Sequence, residues 1–281
     1  MPIPICASDV QIRGGLERIA SIVPLDRREA AVADRKDPSY YAATRHPWAC
    51  FLFLLPLFAA YELGVLWIGG SNAQSLRNGA DIWLRWFLER YGFGQLWAVP
   101  LLVLGFFLIR SAFAVKDRPT KPVSTIFGMF VESVGYAVLL WGISRNFRPL
   151  MEMAGLPLAQ IQFQSVAAGQ FVTFIGAGIY EEVLFRLGLF SISVFMLKCV
   201  LFPGPIAVPL AAVFAAVVFA AAHHVGPYGE PVHSPVFLFR ALAGLFFTAI
   251  YVARGFGVAV GAHAGYDILV GVVVNPPAVE S

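Results

Sequence analysis

Apolar residues run almost without interruption from Pro47 to Asn275. Crossing a hydrocarbon core of roughly 30 Å takes about 20 apolar residues in a helix, and seven windows are long enough. They fall near 48–69, 95–115, 125–144, 167–198, 206–224, 235–253 and 256–274. The fourth exceeds a single crossing and predicts a tilted or broken helix. The pattern predicts an all-α fold, a polytopic membrane helical bundle of about seven transmembrane helices. Between the first two windows, Asp81, Arg85 and Glu89 recur every fourth residue in DIWLRWFLER. One polar stripe on a Trp- and Leu-rich helix suits a helix lying in the membrane interface; an ordinary loop helix packed on the bundle is the alternative.

Composition agrees with lipid as the solvent. The 281 residues are 58% hydrophobic and 13% charged, and the mean hydropathy is +0.73, far outside the range of soluble domains. The formal charge of +3 is dispersed along the chain, so no nucleic-acid footprint is expected. Cys6, Cys50 and Cys199 are odd in number and lack CxxC spacing, which argues against disulfides and thiolate zinc sites. Residues 1–46 mix seven Lys/Arg with six Asp/Glu and hold no long apolar core, unlike a secretory signal. They are expected to form an N-terminal cytoplasmic extension to a single transmembrane domain over 47–281. Basic residues of short loops favour the cytoplasm, and Arg45, Lys116, Arg118, Lys121, Lys198 and Arg254 share one side if the N-terminus is inside. The expected location is multi-pass in the cell (inner) membrane, with the bilayer and a membrane-associated peptide or protein substrate as partners. The sequence sets no oligomeric state.

Ionisable residues inside spans are costly and mark a function or a paired structural charge. Here they are Glu181, Glu182 and Arg186 in YEEVLFR, His223 and His224 in FAAAHH, and His263 and Asp267 in HAGYD, with Glu132, Arg110 and Arg240 as outliers. Residues i and i+4 share a helix face, so Glu182 pairs with Arg186 while Glu181 points about 100° away and stays free to act as a base. His263 and Asp267 likewise share a face. A free carboxylate, two imidazoles and a further carboxyl can perform hydrolysis if their helices are neighbours. His224 and Glu132 read as structural hydrogen-bonding residues, Arg110 and Arg240 as snorkelling or helix-joining ones. Gly176, Gly178, Gly261 and Gly265 read as permitting close helix approach.

Three motifs occur in order on separate spans: Glu181-Glu182-Val-Leu-Phe-Arg186, Phe219-Ala-Ala-Ala-His223 and His263-Ala-Gly-Tyr-Asp267. Over roughly residues 167–270 the chain resembles the CAAX protease and bacteriocin-processing (Abi, type II CAAX prenyl endopeptidase) family, whose pattern is EExxxR, FxxxH and HxxxN or HxxxD. The resemblance implies peptide-bond cleavage in or near the membrane, with Glu181 activating water beside His223, and His263 and residue 267 stabilising the oxyanion. No cofactor is expected on this reading. Ligation of zinc by Glu181, His223 and His263 stays open, since a catalytic site needs three N or O ligands plus water. Asp267 departs from the prenyl-protease branch, which carries Asn there, because an ionised carboxylate donates no hydrogen bond. Either burial keeps Asp267 neutral, or Asp267 orients His263 by accepting a ring N–H; the second is the preferred expectation. The substrate stays open among a prenylated C-terminus, a bacteriocin or signalling-peptide precursor, and the anchor of a sorted surface protein. Rival classes are a non-catalytic immunity factor and a proton-relay transporter. Counted from the window ends, Glu181 and His223 lie about 16 or 17 residues deep and His263 about eight, a mismatch of roughly 12 Å that shifted boundaries are expected to absorb.

Overall fold

The computed structural model describes residues 38–94, 97–115, 118–153, 168–226 and 229–274. Most of the expected extension, residues 1–37, lies outside them. The helices are α1 (Tyr40–Arg45), α2 (Pro47–Gly69), α3 (Gly79–Arg90), α4 (Ala98–Phe113), α5 (Pro122–Met153), α6 (Ala168–Glu182), α7 (Ser191–Cys199), α8 (Gly204–Ala222), α9 (Ser234–Arg254) and α10 (Phe256–Ile268). No strand occurs among the described residues. Four helices, α2, α5, α8 and α9, are long and apolar enough to cross a membrane, and α4 and the α10 region are shorter apolar helices. Together with α6–α7 they occupy all seven windows.

The fourth window is a single helical run with a changed winding. After Glu182 the chain passes into a π-helical stretch, Val183–Phe190, and then into α7. The wider i→i+5 turn is rare and often sits at functional sites; here it directly follows the paired glutamates.

Local chemistry sets the helix ends. At the start of α2 the His46 Nδ1 accepts the Trp48 N–H at 3.1 Å, and the opposite ring nitrogen, at 2.9 Å from the Ala114 carbonyl, donates to it. One neutral imidazole thus caps a helix and ties α2 to the end of α4. Asn78 caps α3 by accepting the Ala80 N–H at 2.8 Å. Between α9 and α10 the chain reverses on one residue, Gly255, at φ +93°, a left-handed backbone that favours glycine.

The centre of the bundle is α10, with Val258, Ala259, Val260 and Ala262 fully buried. It contacts α2, α5, α6 and α9, and small residues on α10 and its neighbours let the backbones meet. A Cβ on Gly178 of α6 would lie 2.6 Å from both the backbone nitrogen and the Cβ of Ala264 on α10. A Cβ on Gly261 would come closer still to Ser133, and one on Gly176 to the Tyr61 ring, the close approach expected of them, while Gly265 is looser, its Cβ 3.3 Å from that of Ala137. The bundle's outside carries exposed Leu101, Ile109, Phe127, Phe130, Leu210 and Phe214, a surface that water would not tolerate and lipid does.

Of the i, i+4 stripe on α3, Asp81 and Arg85 face inward while Glu89 is exposed. Asp81 is fully buried and lies 2.7 Å from Arg77 and 2.6 Å from Arg85. The same arginines reach Glu62 of α2 at 3.3 and 2.6 Å, and Tyr180 of α6 donates to Glu62 at 2.5 Å. Two acids and two bases thus form a balanced box joining α2, α3 and α6. At the other end Glu132 accepts from Arg254 and from Tyr40, the latter at 2.9 Å, as expected of an acid bonded to a neighbouring helix.

Gly178→Ala is expected to force α6 from α10 and to destabilise the protein by about 1–3 kcal/mol, read as an earlier thermal transition in detergent. Gly135→Ala, with open space at its Cβ, is expected to melt no earlier than the wild type.

Candidate active site

Because Gly178 touches Ala264, the next turn of α6 lies beside His263. Glu181 and Glu182 both arrive there, on different sides. Glu182 is fully buried; its Oε1 accepts the His263 Nδ1–H at 2.7 Å and lies 3.0 Å from Arg186 Nη1. Arg186 donates in addition to the Gly244 carbonyl at 3.1 Å, and its guanidinium packs over the rings of Phe219 at 4.6 Å and Phe247 at 5.5 Å. The expected Glu182–Arg186 pair therefore forms, and it also grips a histidine of the third motif.

Glu181 faces the other way. Its Oε2 lies 3.7 Å from His263 Nε2 and 3.9 Å from His223 Nε2. His223 stands just past the end of α8 with Nδ1 2.8 Å from its own Phe219 carbonyl. A carbonyl only accepts, so Nδ1 carries the hydrogen and Nε2 presents a bare lone pair towards Glu181. His263 is stacked on Phe247, with ring centroids 4.4 Å apart. Phe219 also meets the edges of both imidazoles, so the first residue of the second motif holds two of the site's rings.

Asp267 is in the same cluster, 3.6 Å from His263 Nε2, beyond hydrogen-bonding distance. This corrects the expected role of Asp267. The ring N–H of His263 is accepted by Glu182, because the Gly178 contact drives that carboxylate against Nδ1 and leaves Asp267 on the Nε2 side. Glu181, Glu182, Arg186, His223, His263 and Asp267 are thus all brought together. The anticipated depth mismatch is closed without shifted boundaries: these spans end within about two residues of their windows. Their ends are instead staggered or tilted, with α6 and α10 registered through Gly178.

A cavity of about 260 Å³ opens beside Glu181, lined among others by Asn78, Ile82, Trp83, His223 and Glu230. Asn78 is absent from the expected site residues. Its Nδ2 donates to Glu181 Oε1 at 2.9 Å, from a turn 103 positions away in the chain. Its sole sequence signal is the Asn-Gly step before a helix, which marks a cap and nothing catalytic. His224 has the structural role expected, its Nδ1 2.8 Å from the Glu230 carbonyl, and Arg240 donates to the Glu230 carboxylate at 2.8 Å. As for zinc, the Nε2 atoms of His223 and His263 both face Glu181, but no group of three or more His, Cys, Asp or Glu among the described residues has metal-holding geometry.

Residues 163–269 match the family model for type II CAAX prenyl endopeptidase, Rce1-like. Over that segment the chain is similar to this family. That segment, 107 of the 281 residues, contains all three motifs. No curated protein and no solved structure matches the chain. Asn78 and the Glu62–Arg77–Asp81–Arg85 box lie outside the Rce1-like segment, so the site draws on two parts of the chain.

Glu182→Gln leaves the Arg186 charge buried and uncompensated, with an expected loss of about 3–5 kcal/mol. The double variant Glu182→Gln/Arg186→Met should recover part of that loss in denaturant titrations. Glu230 lies in the α8–α9 connection outside the spans. Burial acts to raise its pKa, but the hydrogen bond and charge of Arg240 outweigh it and hold the carboxyl below the usual carboxylate range. A depressed folded value stabilises above the unfolded value of roughly 4.3 and is lost as pH falls through the folded one. Hydrogen-exchange protection of residues 229–233 should therefore hold to about pH 4 and then fall, with Arg240→Gln moving that fall to higher pH.

Proposed function

We propose that the chain is a glutamate-dependent intramembrane endopeptidase in which Glu181 is the general base. The supporting observation is the pair of separations, 3.7 and 3.9 Å, between Glu181 Oε2 and the two imidazole Nε2 atoms beside an open cavity. They are too long for direct hydrogen bonds, and the cavity gives water access to Glu181 and His223.

In the proposed reaction Glu181 takes one proton from that water as the water oxygen bonds to the scissile carbonyl carbon, and the carbonyl π pair moves onto its oxygen. The His223 lone pair accepts the water's other hydrogen and fixes its direction. His263, with Nδ1–H given to Glu182, meets the oxyanion as a cation through Nε2–H, its charge compensated by Glu181, Glu182 and Asp267 around it. Collapse restores the carbonyl and breaks the C–N bond, and the nitrogen leaves with the proton from Glu181. One water is consumed, and an acid and an amine result. No metal enters this scheme.

The substrate on this reading is a membrane-associated peptide or protein. We assign the N-terminus to the cytoplasm, since Arg45 meets the Gly255 turn and that placement would put Arg45, Arg118, Lys121, Lys198 and Arg254 on the cytoplasmic side.

Purified wild type is expected to cleave peptides from a membrane-tethered panel with or without a chelator, and Glu181→Gln to cleave none. Activity retained in Glu181→Gln would sink the assignment of the base. Activity lost on chelation and restored by zinc would replace the scheme with a metal-dependent one.

A further inference from the structure

The third motif ends in Asp267, a carboxyl, and so places no side-chain amide beside Glu181. Asn78 brings one from elsewhere. Its Oδ1 is committed to capping α3, accepting the Ala80 N–H at 2.8 Å, and this fixes the amide nitrogen on the side of Glu181, 2.9 Å from Oε1. The backbone is held from behind, since the Asn78 N–H donates to Tyr61 Oη at 3.3 Å and Tyr61 donates to buried Asp81 at 2.8 Å.

An amide nitrogen bears two hydrogens. Glu181 takes one; the second has no acceptor among the described residues, and Asn78 lines the same cavity as Glu181 and His223. We propose that Asn78 is a catalytic hydrogen-bond donor of this site, holding Glu181 with one hydrogen and the carbonyl oxygen of the scissile bond with the other. The assignment rests on Glu181 being the base. It places a pinned donor on the turn before α3, beside the base and independent of the third motif. A donor that is pinned before substrate arrives needs no reorganisation as charge develops on the oxygen, which is the condition under which such groups contribute most.

The test separates donation from capping. Serine caps helices about as well as asparagine, so Asn78→Ser should melt with the wild type, while Asn78→Ala should melt earlier. Asn78→Ser should lose roughly 10²–10³-fold in kcat, the usual effect of deleting one oxyanion donor, with KM for a tethered peptide little changed. Asn78→Gln, which keeps an amide, should regain part of the loss. Asn78→Ser with near-wild-type kcat, or with a loss in KM alone, would overturn the proposal. Glu181→Gln run beside them tells the two failures apart: if it is active the base is misassigned, and if it is dead while Asn78→Ser is active only the Asn78 role falls.

Discussion

Gly178 and Ala264 meet with no room for a side-chain carbon between them, and the chemistry of this protein hangs on that contact. Hydrocarbon supplies no hydrophobic pull between helices, so packing of small residues decides how closely they come. Once the two backbones touch, the following turn of α6 has to lie against the third motif. One glutamate then grips the Nδ1 side of His263 and the other confronts its Nε2 side. A single close approach thereby makes two adjacent, chemically identical side chains unequal.

Charge inside the bundle is handled by balance. Glu62 and Asp81 face Arg77 and Arg85, and Glu182 faces Arg186, each pair at ion-pairing distance. Such clusters add little stability over an apolar core of the same shape, because desolvation offsets attraction. What they offer here is placement. Tyr61 and Tyr180 hydrogen-bond into the box, Tyr180 is the residue before Glu181, and the box holds the turn that presents Asn78. Glu181 is thus flanked by a rigid polar frame, and its Oε2 faces the two imidazoles across a gap.

Much of this was legible in the chain. Apolar blocks of spanning length mark the helices, and the i, i+4 arithmetic of Glu182 and Arg186 survives even across a π-helical turn. The three motifs name the residues that converge. Other features were not legible, for a physical reason in each case. Glu62 stands alone in an apolar span, and its partners come from a connection whose stripe looks like a solvated face. Asn78 has no periodic pattern around it, and reaches Glu181 only by tertiary folding. The partner of His263 Nδ1 depends on helix register, which sequence spacing within α10 does not contain, so the i+4 neighbour Asp267 was the natural choice and Glu182 the actual one.

Trp83 lines the cavity, and on the same helix Trp86, Phe87 and Tyr91 are exposed. Rings of this kind settle at the level of the lipid headgroups. On the proposed reading the cavity mouth beside Trp83 would lie at the border between lipid and water, and the water consumed in the proposed hydrolysis would reach Glu181 without crossing hydrocarbon.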